Sequence, residues 1–247
     1  MKAPTRAMVL AAGLGTRLRP LTDTRPKALV EVAGKTMLER TLLRLRSFGV
    51  EEVVVNAHHH ADLLINYLND QKNFGMQIEV SREEILLDTG GGLKQAAEFF
   101  LRSGSDAPFI LHNVDVASAI DLAEMVAEHK ASGALATLAV KPRSSSRQLL
   151  FDAEGDLVGR QTPVTTEWAR EMIDPTPLAF CGIHVISPRI FALMEETGIF
   201  SIVPVYLRLA AAGERIAAYQ TSAYWRDLGK LESVHQAEAD LAAGMWD

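Results

Sequence analysis

The chain has 247 residues, 48% of them apolar and 23% charged, and a net charge of −6. That is enough apolar material for one large α/β domain or two small ones, and too ordinary a charge content for wholesale disorder. A net-negative chain is poorly suited to nucleic acid, and no apolar run approaches the roughly 18–20 residues of a membrane span, so neither partner is expected.

The apolar run Arg6–Ala11 predicts a first strand buried on both faces, with a Gly-rich loop after it. A helix is predicted from about Thr36 to Phe48, with Leu38, Leu42 and Leu45 on its inner face and Gly49 ending it. Val53, Val54 and Val55 mark a central strand over Glu51–Ala57, then a helix over His60–Leu68 and a strand over Met76–Ser81. Gly90-Gly-Gly92 opens a helix ending near Phe100, and Phe109–Leu111 is a short buried strand running into His112-Asn-Val-Asp115. A helix over Ile120–His129 and a strand over Ala134–Val140 complete an alternation that predicts a mostly parallel sheet with helices on both faces.

The pattern then loosens. A hairpin (Arg147–Phe151 with Leu157–Arg160), a loop (Glu167–Pro177), a strand (Phe180–Ile186), a helix (Ser201–Ala212), a strand (Ile216–Gln220) and a terminal helix (Leu231–Ala243) follow. No flexible linker separates this smaller, mixed portion, so one domain is expected. The one cysteine, Cys181, excludes a disulfide within the chain and, in an apolar run, reads as a buried inert thiol. No signal peptide is read at the N-terminus, so a soluble, cytoplasmic protein is expected.

The loop Leu10-Ala-Ala-Gly-Leu-Gly-Thr-Arg-Leu-Arg-Pro-Leu-Thr22 is the strongest functional signal. It is not a dinucleotide fingerprint, because Leu18 stands where the third glycine belongs. Nor is Gly34-Lys35-Thr36 a Walker sequence, because the required earlier glycine is Leu29. What remains is a strand, a loop with Gly13 and Gly15, and the cations Arg17, Arg19 and Lys27; Lys2, Arg6, Arg25 and Lys35 add to the basic N-terminal segment. Glycines let backbone N–H groups approach an anion, Arg offers a planar fork to phosphate oxygens, and Lys a compact charge.

This loop, followed by Arg25-Pro-Lys-Ala-Leu-Val-Glu-Val-Ala-Gly-Lys-Thr-Met-Leu38, resembles the signature of the sugar nucleotidyltransferases. The resemblance continues at Leu87-Asp-Thr-Gly-Gly-Gly-Leu93, Asn113-Val-Asp115, Gly182-Ile-His-Val-Ile-Ser-Pro188 and Trp225-Arg-Asp-Leu-Gly229, in the family's order. It implies a Rossmann-like α/β fold of the nucleotide-diphospho-sugar transferase type. It divides the chain into a nucleotide half (about 1–112), a sugar-phosphate half (about 113–229) and a C-terminal helix (230–247).

The implied reaction is attack of a sugar 1-phosphate on the α-phosphorus of a nucleoside triphosphate, with loss of pyrophosphate. Two anions must meet, so charge neutralisation and in-line positioning dominate. By resemblance Arg17 grips the triphosphate and Lys27 contacts the phosphates near the reacting centre. Ala11, Ala12, Gly13, Gly15, Thr16, Gly90 and Gly91 hold the nucleotide, the two α-helix glycines running against the base. Asn113 and Gly182 lie at the sugar, with Trp225 offered as a wall. Asp115 and Asp227 hold Mg²⁺, a hard cation suited to carboxylates. Two departures fall in the sugar half. Val114 stands where the family has Gly, which predicts added bulk beside the site. The family's Lys for the sugar phosphate is missing, and Arg160, in Arg160-Gln-Thr-Pro163, is the candidate replacement.

Within the family the chain looks most like the short bacterial N-acetylmuramate-1-phosphate uridylyltransferases. Mannose- or heptose-1-phosphate guanylyltransferases are the second reading, and a catalytically weak nucleotide-sensing subunit is the alternative of another class. Monomer and homodimer both stay open. His58, His59 and His60 read as a loop, since adjacent residues on an extended segment point in alternate directions and rarely converge on one ion.

Overall fold

The structure is a computed structural model and describes residues 5–246; Lys2 lies outside them. Strand β1 (Thr5–Leu10) is followed by the Gly-rich loop, a 3₁₀ turn at Thr16–Leu18 and another at Lys27–Leu29. A small hairpin, β2 (Glu31–Val32) and β3 (Lys35–Thr36), leads into α1 (Met37–Ser47), β4 (Val50–Ala57), α2 (Ala61–Asp70) and β5 (Gln77–Arg82). Then come α3 (Asp88–Gln95), α4 (Ala97–Leu101), β6 (Phe109–Asn113), β7 (Val116–Ser118), α5 (Leu122–Ser132) and β8 (Ala136–Lys141). The late portion holds β9 (Gln148–Phe151), β10 (Leu157–Gln161), β11 (Thr166–Trp168), β12 (Thr176–Ile186), α6 (Ile190–Leu193), α7 (Ile202–Ala211), β13 (Ile216–Gln220), β14 (Trp225–Asp227) and α8 (Leu231–Ala242).

Helix α1 shows how local sequence sets an element. Thr36 caps it, its hydroxyl accepting from Glu39 N at 3.0 Å, in the Thr-x-x-Glu arrangement of a capping box. Its apolar positions Met37, Leu38, Leu42 and Leu45 are all buried. Gly49 follows with a φ of 81° that stops the helix.

Strands β5, β4, β1 and β6 lie side by side, all parallel. Their side chains alternate between two cores. Ala7 and Val9 of β1 join the cluster under α1, α2 and α8, whereas Met8 joins the one under α3, α4 and α7. The same alternation separates Val53 and Val55 from Val54. This is why the first strands read as continuous apolar runs.

Strand β12 pairs antiparallel with β6 and changes the character of the sheet. Its early residues pair with β9 and its later ones with β8, and β10 and β11 extend the far edge. The late region predicted as loop therefore holds an edge strand, β11, and the start of β12. The helix predicted to open at Gly90 instead starts at Asp88, and α4 is separate from it. Among the described residues, no helix is long and apolar enough to cross a membrane.

Candidate active site

The chain leaves β1 for β4 on one side and later returns to β6 on the other, so the end of β1 is a topological switch point. Ligands of open α/β sheets bind in the crevice such a point creates. Leu10, the last residue of β1, is in register with Asn56 on one side and Asn113 on the other. A cleft of about 470 Å³ opens there, lined among others by Gly13, Lys27, Asn56, Glu83, Asn113 and Asp115.

Asn56 organises the floor. Its Oδ1 accepts from Ala11 N at 2.6 Å and Ala12 N at 3.3 Å, and its Nδ2 donates to Glu83 Oε1 at 2.7 Å. Glu83 Oε2 accepts from Leu87 N at 3.0 Å. The N–H groups of Ala11 and Ala12 are thus engaged by Asn56, while Ala12 and Gly13 line the cleft and Thr16 and Arg17 are exposed. Asn56 and Glu83 are 3% exposed, a buried polar pair that sequence reasoning missed. The one signal was an Asn ending the apolar run Val53–Val55; nothing marked Glu83. Gly15 has a φ of 63°, and a Cβ there would stand 2.9 Å from Thr22 Cγ2 and 3.0 Å from Lys27 Cβ. Glycine at this point lets the loop close over the stem of Lys27.

Lys27 Nζ donates to Asp115 Oδ2 in an ion pair whose side chains are 12% and 16% exposed. The sequence had assigned these two residues separately, to phosphate and to metal; the fold places them in contact. Asp227 comes from 112 residues further on. Strand β14 pairs antiparallel with β7, with Asp227 opposite Val116, and Leu228 N donates to Asp115 O at 2.8 Å. Asp227 Oδ1 accepts from Gly229 N at 2.7 Å. A Cβ on Gly229 would lie 2.5 Å from Arg17 Nη2 and 2.6 Å from Asp227 Oδ1, so Arg17 and Asp227 share this backbone site. Each of the two carboxylates lies beside a cation, Asp115 with Lys27 and Asp227 with Arg17 at the Gly229 backbone. No group of three or more His, Cys, Asp or Glu able to hold a metal occurs among the described residues.

On the sugar side, Gly182 has a φ of 74°, and a Cβ there would stand 2.7 Å from Asn113 Nδ2. The missing side chain brings the Asn113 amide onto the β12 backbone. Trp225 Nε1 donates to Cys181 O at 2.7 Å, and the Arg143 guanidinium lies 4.1 Å over the Trp225 ring while donating to Phe180 O at 2.9 Å. Arg143 was not singled out from the sequence. Arg160 is absent from the cleft lining and pairs with Glu167 at 2.6 Å across β10 and β11. Val114 borders the cleft but is 3% exposed, its bulk taken up by the core.

Gly90 and Gly91 are buried, and their N–H groups donate to Phe200 O at 2.9 and 3.1 Å. The α3 residues that line the cleft are Asp88 and Thr89. His58 Nδ1 bonds to Glu83 O at 2.9 Å, and the His59 and His60 rings meet at a tilt of 50° in the loop after β4. His112 lies beneath the site on β6, its pKa pushed down to about 4 by burial, so it is neutral at pH 7. Burial pushes the Cys181 thiol up to about 12, which makes it an inert thiol.

The family model described as "Nucleotidyl transferase" matches residues 6–149. The chain is 36% identical to the N-acetylmuramate alpha-1-phosphate uridylyltransferase of Caulobacter vibrioides, over 98% of both chains. It is 31% identical to a probable mannose-1-phosphate guanylyltransferase of Oryza sativa, over 97% of this chain and 68% of the relative. The crystal structure of HddC from Yersinia pseudotuberculosis complexed with GMP-PN shares the fold, with a TM-score of 0.76 at 21% identity over 96% and 99% of the two chains. The chain belongs to the nucleotidyl transferase family and is a sugar-1-phosphate nucleotidyltransferase.

Proposed function

We propose that the chain transfers uridylyl from UTP to an N-acetylmuramate-type sugar 1-phosphate, in the cytoplasm where triphosphates are supplied. The observation that carries the proposal is the pairing of Lys27 with Asp115 in the lining of the switch-point cleft, with the backbone of Asp115 bonded to Leu228, next to Asp227. A phosphate oxygen of the sugar 1-phosphate attacks the α-phosphorus, the bond to the bridging oxygen breaks, and pyrophosphate leaves. Asp115 and Asp227 would hold Mg²⁺, which when bound neutralises phosphate charge. Lys27 would contact the reacting phosphates, and Arg17 would stabilise the departing pyrophosphate. Gly13, Gly15 and Thr16 border the triphosphate.

Glu83 supports the choice of base. An ionised carboxylate only accepts hydrogen bonds. It therefore suits uracil, which offers N3–H on its pairing edge, and guanine, which offers N1–H and an amino group. Adenine and cytosine present a bare ring nitrogen there. Identity favours uracil over guanine, because the chain is 36% identical to the N-acetylmuramate uridylyltransferase and 31% to the guanylyltransferase. The sugar half, from Asn113 onward, would seat the sugar phosphate at Asn113 and Gly182, with Arg143, stacked on Trp225, as a candidate cation.

Pyrophosphate release measured with four triphosphates against N-acetylmuramate, N-acetylglucosamine and mannose 1-phosphates tests this reading. Turnover with UTP and the first sugar is expected. Turnover with GTP and mannose 1-phosphate would replace it with the guanylyltransferase reading. Tight triphosphate binding without release for any sugar would replace it with a sensor.

A further inference from the structure

Ile199 is out of place for a packing residue. It is 64% exposed, in the segment between α6 and α7 that Met194, Glu196 and Phe200 tie to α3 and its N-cap. It also lines the cleft, far in sequence from the other residues there.

The triple glycine of α3 accounts for its position. Gly90 N and Gly91 N both donate to Phe200 O, Phe200 N donates to Leu87 O at 3.1 Å, and Ile202 N donates to Thr89 Oγ1 at 3.0 Å. A Cβ on Gly90 would stand 2.5 Å from the Phe200 ring, and one on Gly91 would stand 2.5 Å from Gly198 O. Residues 198–200 therefore lie directly on the helix backbone. Lys94 Nζ ties the preceding turn to α3 through Met194 O at 2.8 Å and Glu196 O at 2.5 Å. Ile199, between the two seated residues, is left projecting at the cleft.

We propose that Ile199 is a nucleobase-contacting residue, the apolar wall on which the base of the triphosphate lies flat, and that Gly90 and Gly91 form the seat that carries it there. This rests on the nucleotidyltransferase reading. The cleft is divided by chemistry. Lys27, Asp115 and Gly13 make a charged end suited to phosphates. Glu83, Thr89, Leu86 and Ile199 make an end with polar edges and apolar faces. A base needs both, a hydrogen-bonding edge and two apolar faces, as ligand pockets generally provide. An exposed isoleucine serves a flat ring better than a triphosphate or a ribose.

The test is calorimetric binding of UTP and GTP, with steady-state kinetics for both substrates. Ile199→Ala is expected to weaken UTP and GTP binding alike, about five-fold, because a contact to the ring face does not read the edge. The KM for triphosphate should rise by the same factor and that for sugar 1-phosphate by less than two-fold. Ile199→Leu should restore binding to within two-fold. Gly91→Ala, checked for fold by circular dichroism, should weaken binding as Ile199→Ala does by lifting residue 198 from its seat. A UTP affinity within two-fold of the wild type in Ile199→Ala, or an equal rise in both KM values, would overturn the proposal. A wild type that binds UTP but turns over no sugar 1-phosphate overturns the reaction and leaves the binding arm to decide Ile199. A wild type that binds neither triphosphate overturns both.

Discussion

Two regions beside the cleft are built differently. The first loop, Leu10 to Lys27, is one stretch of chain folded against the end of β1 by Gly15, Thr22 and Asn56. The region proposed for the sugar is assembled from β6, β7, β12 and β14: β12 pairs antiparallel with β6, β14 pairs with β7, and Trp225 Nε1 joins β14 to Cys181 O of β12. A loop on a buried parallel strand is positioned by local geometry. A surface gathered from four strands depends on every register between them. The first should tolerate changes in the late region, and the second should not.

The largest expected effect cuts across both regions. Asp115→Ala removes the partner of Lys27 and the carboxylate opposite the β14 ladder, and should lower turnover ~10²–10³-fold, as losing a charge-stabilising group in a dry site does. A melting temperature close to the wild type would confirm that the loss is chemical. Wild-type-like turnover would remove Asp115 from the metal site.

Acid should strike the part of the sheet around β6, β8 and β12 first. His129, held by Thr137 and Ser187, has a pKa pushed down to about 4 by burial, and His184, on Tyr206, one pushed down to about 3. With His112 they are neutral in the folded chain and ionise near 6.5 when unfolded. Below that value the unfolded state binds more protons, so stability is whole above about pH 6.5 and falls as pH drops toward 4. Roughly 1–2 kcal/mol per histidine is expected at pH 5. Urea midpoints at pH 7 and 5 measure the loss, and hydrogen exchange should show β8 and β12 losing protection before β1 and β4. A midpoint unchanged between the two values would contradict it.

A smaller effect separates the two candidate cations for the sugar phosphate. Arg143 lies on Trp225, beside the Gly182 backbone, whereas Arg160 is held by Glu167 at the hairpin edge. Arg143→Ala should raise the KM for sugar 1-phosphate several-fold, and Arg160→Ala less than two-fold. The reverse order would return the sugar phosphate to Arg160. The smallest effect is remote from the cleft. Thr36→Ala removes the cap of α1 and should cost about 1 kcal/mol of stability, read from chemical denaturation, with both KM values unchanged.

The central strands and α1 were legible because burial on both faces, and an apolar helix face ended by Gly49, are written in contiguous residues. The late region was harder. Strand β11 has little apolar content, and β12 begins with Thr176 and Pro177, which read as loop until β9 pairs with them. The triple glycine, which by resemblance runs against a nucleotide base, is approached in the structure by the backbone of Gly198 and Phe200. Nothing near Gly90 in the chain could have named residues 110 positions away.

What the sequence determined by itself was the family, through the residues of one short span: a strand, two glycines and Arg17 with Lys27. Their function depends on charge and reach, which neighbours in sequence already share. Only the tertiary structure decided that Lys27 neutralises Asp115, that Asp227 arrives opposite Val116, that Asn56 and Glu83 line the floor, and that Ile199 faces the cleft. Those relations follow from strand order and register, and they exist only once distant segments have paired.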